Sequence, residues 1–291
     1  MKHVIACIDE SRMANAVTQY ATWSAKQLQT PLTLFHVLDE MRYPVNSDMT
    51  GNIGLGSRES LLEELAELDE RRNKIALEHG HHLLEAAKNQ AEEMGAEDVH
   101  VRQRHGDLAE SLTALEDNLR LLVIGLHGAQ TCDSDRLGHQ IETIVRNIHR
   151  PILAVPPKYH APTNVMLAFD GSDVSRKGVK MLAESPLFVG MPIHVVMVGA
   201  ATADATASVE AAVSHLQEFR HKVSYEIRAG DVESTLHDIQ QERNIDMLVM
   251  GAYSHSKLRQ LFMGSTTSRV LSRSQIPRRL GGGGAAVPAG G

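Results

Sequence analysis

The chain has 291 residues, with 29 Lys and Arg against 36 Asp and Glu, a net charge of −7. Domains commonly run to roughly 100–200 residues, so the length fits two, each able to bury its own core. The acidic balance argues against duplex nucleic acid as a partner, since a phosphate footprint needs basic surface.

The first apolar run, residues 3–8, ends in Asp9, as a buried strand entering a loop would. Cys7 within it reads as a buried free thiol. With Cys132 it makes two cysteines, too few for a disulfide framework. Asp9 and Glu10 arrive before any long apolar stretch, so no signal peptide is visible. The longest apolar runs, such as residues 121–126, fall far short of a membrane span. A cytoplasmic, reducing location is expected.

Ser11 reads as the first helix cap. A second apolar run, Leu32–Leu38, precedes a Gly/Ser/Asn-rich loop and then a charged stretch near residues 59–94. Leu61, Leu62, Leu65 and Leu68 have helical spacing, and Gly80 is expected to break the helix in two. The stretch reads as a surface helix covering a sheet, with a partner-binding or lid helix as the sharper alternative. Its His79, His81 and His82 lie near Glu78 and Glu85, yet no HExxH or Cys/His ladder is present. A solvated helix face is therefore expected rather than zinc.

The pattern then repeats. Residues 164–169 form another apolar run ending in Asp, at Asp170. Asp9 to Val37 is 28 residues, and so is Asp170 to Val198. Gly125 to Gly138 is 13 residues, as is Gly251 to Gly264; Gly138 to Pro151 is 13, as is Gly264 to Pro277. The chain is a duplication. From Val37 to Gly106 is 69 residues and from Val198 to Gly230 is 32, so the first copy carries 37 more. Caps are read at Asp107, Asp173 and Asp231 as well.

Strands alternating with helices imply an α/β fold. Each copy is expected to form an open, doubly wound, mostly parallel five-stranded sheet of Rossmann-like type, the two related by a pseudo-two-fold. Ligands on such sheets lie off the carboxyl ends of the strands, where strand order reverses. The expected domains are residues 1–157, with a helical insertion at about 39–95, and residues 162–280. Residues 281–291, GGGGAAVPAGG, read as a flexible tail.

A strand ending at Gly251 is followed by a loop and a helix start at Gly264-Ser265-Thr266, where free N–H groups suit phosphate. The pattern G-x2-G-x9-G-[S/T], with the strand-end Asp, His36-Val37 and the pairs Gly106-Asp107 and Gly230-Asp231, resembles the universal stress proteins. The resemblance covers roughly residues 1–277 and makes the chain look like a tandem member. It implies that the first-strand Asp and second-strand Val contact adenine, while the glycine loop and Ser/Thr hold ribose and phosphates. In copy two these positions are Asp170, Val198, Gly251, Gly264, Ser265 and Thr266, with Ser254 where the family has its second glycine.

Copy one keeps Gly125, Gly128 and Gly138, but has His139-Gln140 for the Ser/Thr pair, Asp133 and Asp135 in the loop, and Glu10 where copy two has Gly171. Like charges there oppose a triphosphate. Asp9, Val37, Gly125, Gly128 and Gly138 are therefore a weaker second site. The expected ligand is ATP, or ADP or AMP, with Mg2+. Other expected partners are a second copy in a homodimer and an unidentified protein, with no nucleic acid and no membrane span.

A stress-signalling role is implied, with no dedicated enzyme, since no nucleophile and base are placed together. The alternatives are a slow ATPase or nucleotidyl-transfer enzyme, or a module binding a metal, lipid or protein through domain 1. After Pro277 the sequence runs Arg278-Arg279-Leu280 into the tail, so the second copy's apolar fifth strand is read as missing, leaving an unpaired sheet edge at residues 151–155.

Overall fold

The computed structural model describes residues 1–38, 57–126, 139–251 and 278–281. The first unit runs β1 (His3–Cys7), α1 (Ala14–Leu28), β2 (Leu32–Leu38), α2 (Ser57–Glu93), β3 (Val99–His105), α3 (Leu108–Thr113), β4 (Leu119–Gly125), α4 (His139–Asn147) and β5 (Ile152–Val155). The second runs β6 (Val165–Ala168), α5 (Asp173–Glu184), β7 (Ile193–Val198), α6 (Ala203–Glu218), β8 (Val223–Arg228), α7 (Val232–Glu242), β9 (Met247–Gly251) and β10 (Arg278–Gly281).

All ten strands join one sheet in the order β3-β2-β1-β4-β5-β10-β9-β6-β7-β8. Pairing is parallel within each unit. Right-handed crossovers put α1 and α2 on one face, and α3 and α4 on the other, because strand order reverses after β3. Both faces are thereby covered at the centre. That is why Leu121, Leu122 and Val123 of β4 and Met247, Leu248 and Val249 of β9 read as unbroken apolar runs and are buried.

The last strand corrects the sequence reading. Arg278–Gly281 forms β10 despite its two arginines, pairing parallel with β9 and antiparallel with β5. The edge at residues 151–155 is therefore paired. Gly281, assigned above to the tail, lies opposite Gly251. An apolar run is not required when two neighbouring strands supply the backbone partners.

The insertion is also corrected. α2 is one unbroken helix of 37 residues. A Cβ on Gly80 would stand 2.5 Å from Gln103 Nε2 and 2.8 Å from His36 Cδ2. The glycine marks close approach of α2 to β2 and β3, not a break.

Two caps lie where the sequence places them. The Asp107 carboxylate accepts from Glu110 N–H at 2.9 Å, and Asp231 accepts from Glu233 and Ser234 N–H. Two are displaced. Ser172, not Asp173, caps α5, and α1 starts at Ala14 without a side-chain cap. Ser11 instead supports the preceding turn, where its Oγ accepts from Met13 N–H.

Between the units, residues 156–164 cross α1. Tyr20 Oη accepts from His160 N–H at 3.2 Å, and the Tyr159 ring meets the Tyr20 ring edge-on at 4.8 Å. Burial pushes the Tyr20 phenol up to about 12, so it stays a neutral hydroxyl at physiological pH.

Candidate functional site

Strand order reverses between β1 and β4 in the first unit, and between β6 and β9 in the second. These crevices are where such a sheet exposes strand ends to a ligand. Just past them stand Asp9 and Asp170.

The two aspartates are held identically. Asp170 Oδ1 accepts from Ser172 N–H at 3.0 Å and from Ser172 Oγ–H at 2.6 Å. Asp9 Oδ1 accepts from Ser11 N–H at 3.1 Å and from Ser11 Oγ–H at 2.5 Å. An Asp whose carboxylate closes a turn two residues on has one fixed orientation. The serines were missed as site residues in the sequence reading. The recurring Asp-x-Ser spacing, Asp9-Glu10-Ser11 and Asp170-Gly171-Ser172, is the signal that could have found them.

Val37 and Val198 lie at the ends of β2 and β7 and are half-buried. Register places them beside the strand-end aspartates, since Cys7 pairs with Phe35 and Ala168 with Val196. Beyond Val198, a Cβ on Gly199 would meet nothing within 4 Å among the described residues. Gly251 closes β9, and a Cβ there would stand 2.7 Å from Val174 Cγ1 of α5. The glycine lets β9 and α5 approach closely beside the crevice. Gly125 ends β4 in register with Val155.

The structure thus brings Asp170, Val198 and Gly251 to one end of the second sheet, and Asp9, Val37 and Gly125 to the matching end of the first. Gly128, Gly138, Ser254, Gly264, Ser265 and Thr266 lie outside the described residues. The strand-end part fits an adenine ring: a fixed carboxylate can accept from an exocyclic amino group, and an aliphatic side chain can cover a ring face.

The mouths of the two crevices differ. Gly171 has φ of +75°, a left-handed conformation open to glycine. Its carbonyl accepts from Arg176 Nε–H at 3.1 Å, while the Arg176 guanidinium also donates to Ser208 Oγ of α6 at 3.3 Å. A cation therefore ties the second helix to the turn. At the equivalent place in unit one, Glu10 stands 3.6 Å from His79 Nε2 of α2. The tie there rests on a carboxylate. His81 and His82 are exposed on the same helix. Among the described residues, no three His, Cys, Asp or Glu converge as a metal site.

Cys7 neighbours Asp9, and burial first, then that carboxylate, push its thiol far above the ordinary range. It is a packing residue, not a nucleophile.

A third cluster lies at the far edge of unit two. His194 Nδ1 is 2.8 Å from Ser224 Oγ, and its Nε2 is 3.2 Å from Glu226 Oε2. Glu226 also pairs with Arg243 and Arg228, and Arg228 with Glu242. Burial lowers the His194 pKa, with Arg243 acting in the same direction. Burial would raise Glu226, but hydrogen bonds from Arg243 and His194 and the charge of Arg228 hold it below the usual carboxylate range.

No described helix is long and apolar enough to cross a membrane. The model of the universal stress protein family matches residues 1–156 and again residues 162–277. The chain is 33% identical over 282 residues to universal stress protein Slr1230 of Synechocystis sp., spanning 95% of this chain and 98% of that one. A crystal structure of a universal stress protein from Archaeoglobus fulgidus superposes with a TM-score of 0.66 at 17% identity, covering 96% of this chain and 95% of the other. A putative universal stress protein from Pseudomonas aeruginosa superposes with a TM-score of 0.60 at 14% identity, over 96% and 92%.

Proposed function

The chain belongs to the universal stress protein family as a tandem of two such units, and from that premise we propose that its second unit binds ATP and reports on stress or energy status in the cytoplasm. The observation that carries this reading is Asp170, fixed by Ser172 at the strand-order reversal between β6 and β9. In it, Asp170 accepts from the adenine amino group and Val198 packs on the ring. Gly251, Ser254, Gly264, Ser265 and Thr266 hold ribose and phosphates, with Mg2+ on the phosphates. ADP or AMP would use the same adenine contacts.

The first unit takes nucleotide weakly. Asp9, Val37, Gly125, Gly128 and Gly138 are its counterparts, but Glu10 puts a negative charge at the mouth where Gly171 leaves none. Occupancy of the second site signals by favouring one conformation or assembly, through the difference in ATP affinity between the two states.

The test is calorimetric titration with ATP of the parent chain and of the Ser265→Ala/Thr266→Ala double variant. Loss of two hydroxyl donors to charged oxygens should weaken binding by about 10-fold or more. Equal affinity in the two proteins would remove the phosphate assignment.

A further inference from the structure

The cluster at the far edge of unit two holds a hydroxyl, an imidazole and a carboxylate in series. Ser224 Oγ stands 2.8 Å from His194 Nδ1, and His194 Nε2 stands 3.2 Å from Glu226 Oε2. No local pattern announces it. Ser224 follows His194 by 30 residues, and the two meet because β7 and β8 pair them directly. Glu226, two positions further along β8, projects from the same face of the sheet as Ser224.

The protonation pattern follows from the carboxylate. Arg243 and Arg228 both pair with Glu226 and favour its ionised form. An ionised carboxylate only accepts, so the imidazole proton sits on Nε2. Burial lowers the His194 pKa below its ordinary 6.5, so the ring is neutral at pH 7. Nδ1 of that neutral ring is an acceptor, and the Ser224 hydroxyl donates to it. A hydroxyl, a base that can take its proton and a third group that orients the base are the parts of an activated nucleophile. The base is shielded and the nucleophile is open: the His194 side chain is 4% exposed, whereas Ser224 faces solvent.

The sheet edge supplies a further part. β8 is the last strand of the sheet. Ile193 N–H donates to Lys222 C=O, and Gly199 N–H to Arg228 C=O. In that register the even-numbered residues of β8 turn their backbone groups to β7, and Tyr225 turns its N–H outward. The N–H that follows Ser224 therefore faces the open edge, where it can donate to a carbonyl oxygen. Unit one has no such series among its described residues. Its matching positions are Thr33, His100 and Arg102, and Thr33 is buried and bonded to His3.

The geometry points to Ser224 as a nucleophile for acyl transfer from esters of small carboxylic acids, with His194 as its general base. Ser224 Oγ attacks the carbonyl carbon and passes its proton to His194 Nδ1. Glu226 lies beside the imidazolium so formed. As the C–O bond to the leaving group breaks, Nδ1–H gives that proton to the leaving oxygen. Water then attacks the acyl-serine, again with His194 taking and returning the proton, and releases the acid. The site is independent of the nucleotide reading.

The test is to incubate the full chain with a fluorophosphonate, which phosphonylates base-activated serines with loss of fluoride, and to map the product by peptide mass spectrometry. The label is expected on Ser224 of the folded chain and on no serine of the heat-unfolded chain. His194→Gln should slow labelling on the order of 100-fold, the contribution usual for a general base. Release of p-nitrophenolate from p-nitrophenyl acetate should fall to the level of the heat-unfolded chain in Ser224→Ala. Ser224 is exposed, so Ser224→Ala keeps the test decisive even where His194→Gln, at a buried position, does not fold. An unlabelled Ser224 in the folded parent, a folded His194→Gln chain labelled at the parent's rate, or ester turnover that Ser224→Ala leaves unchanged would each overturn the proposal.

Discussion

The two units share one fold and differ at their edges and mouths. Unit one ends at β3, whose exposed His100 and Arg102 stand where unit two has Ser224 and Glu226. Unit two closes the same place into a network, with Glu226 between Arg243, Arg228 and His194. At the mouths, Glu10 with His79 stands against Gly171 with Arg176 and Ser208. Duplication has preserved the strand-end Asp and its serine while the surroundings diverged. The difference teaches that fixing the aspartate is a property of the turn, whereas the charge at the crevice mouth is set by what faces it.

The largest expected effect concerns what joins the units. A chain ending at Pro277 lacks β10 and leaves β5 and β9 each with one bare edge, paired only to β4 and β6. Chromatography and thermal melts should show loss of the soluble, cooperatively folding species, since two bare sheet edges invite association. An unchanged midpoint would show that β10 does not hold the halves together.

Next are the glycines at close approaches. Gly251→Ala drives a Cβ to 2.7 Å from Val174, a β-branched side chain with little freedom to move. Gly80→Ala meets the buried His36 ring in unit one. Each should cost about 1–3 kcal/mol in denaturant melts, the usual range for overpacking. Of the two, only Gly251→Ala should also weaken ATP binding. Equal effects on binding would erase the distinction between the units.

The His194–Glu226 network predicts acid sensitivity in unit two. Folded His194 resists the proton that the unfolded chain takes up near 6.5, so stability falls as pH drops below that value. Glu226, held below its ordinary 4.5, contributes stability above that value, which is lost as pH falls through its lower folded pKa. Both act in the same direction. Arg243→Gln removes a neighbour that lowers both groups, so it should flatten the decline in stability between about pH 7 and 4. A slope as steep as the parent's would show that the network does not couple to folding.

The smallest effects are the caps. Asp107→Ala and Asp231→Ala should each cost about 1 kcal/mol. Both residues cap the helix after the third strand, and Asp231→Ala should cost the more, since Asp231 accepts from two N–H groups where Asp107 accepts from one.

Much of this was legible in the sequence because a parallel sheet writes its strands as apolar runs and its turns as fixed spacings. Asp9 and Asp170, Val37 and Val198, Gly125 and Gly251 all fall at strand ends as the spacing implies. What was not legible depended on tertiary contact. Gly80 looks like a helix breaker until Gln103 and His36 are seen against it. Arg278 and Arg279 look unlike a strand until β5 and β9 flank them. Ser11 reads as a cap until Asp9 is seen to hold it in the turn before. The tie between Arg176 and Ser208 joins residues 32 apart and leaves no local pattern.

The most direct measurement compares Asp9→Ala with Asp170→Ala. Both variants lose the same turn bonds to serine, so damage to the turn alone should affect them alike. Adenine nucleotide bound per chain, counted by calorimetry with ATP, is predicted to be about one in the parent, unchanged in Asp9→Ala and abolished in Asp170→Ala. Binding that survives Asp170→Ala, or that is lost with Asp9→Ala, would contradict a single working site in the second unit.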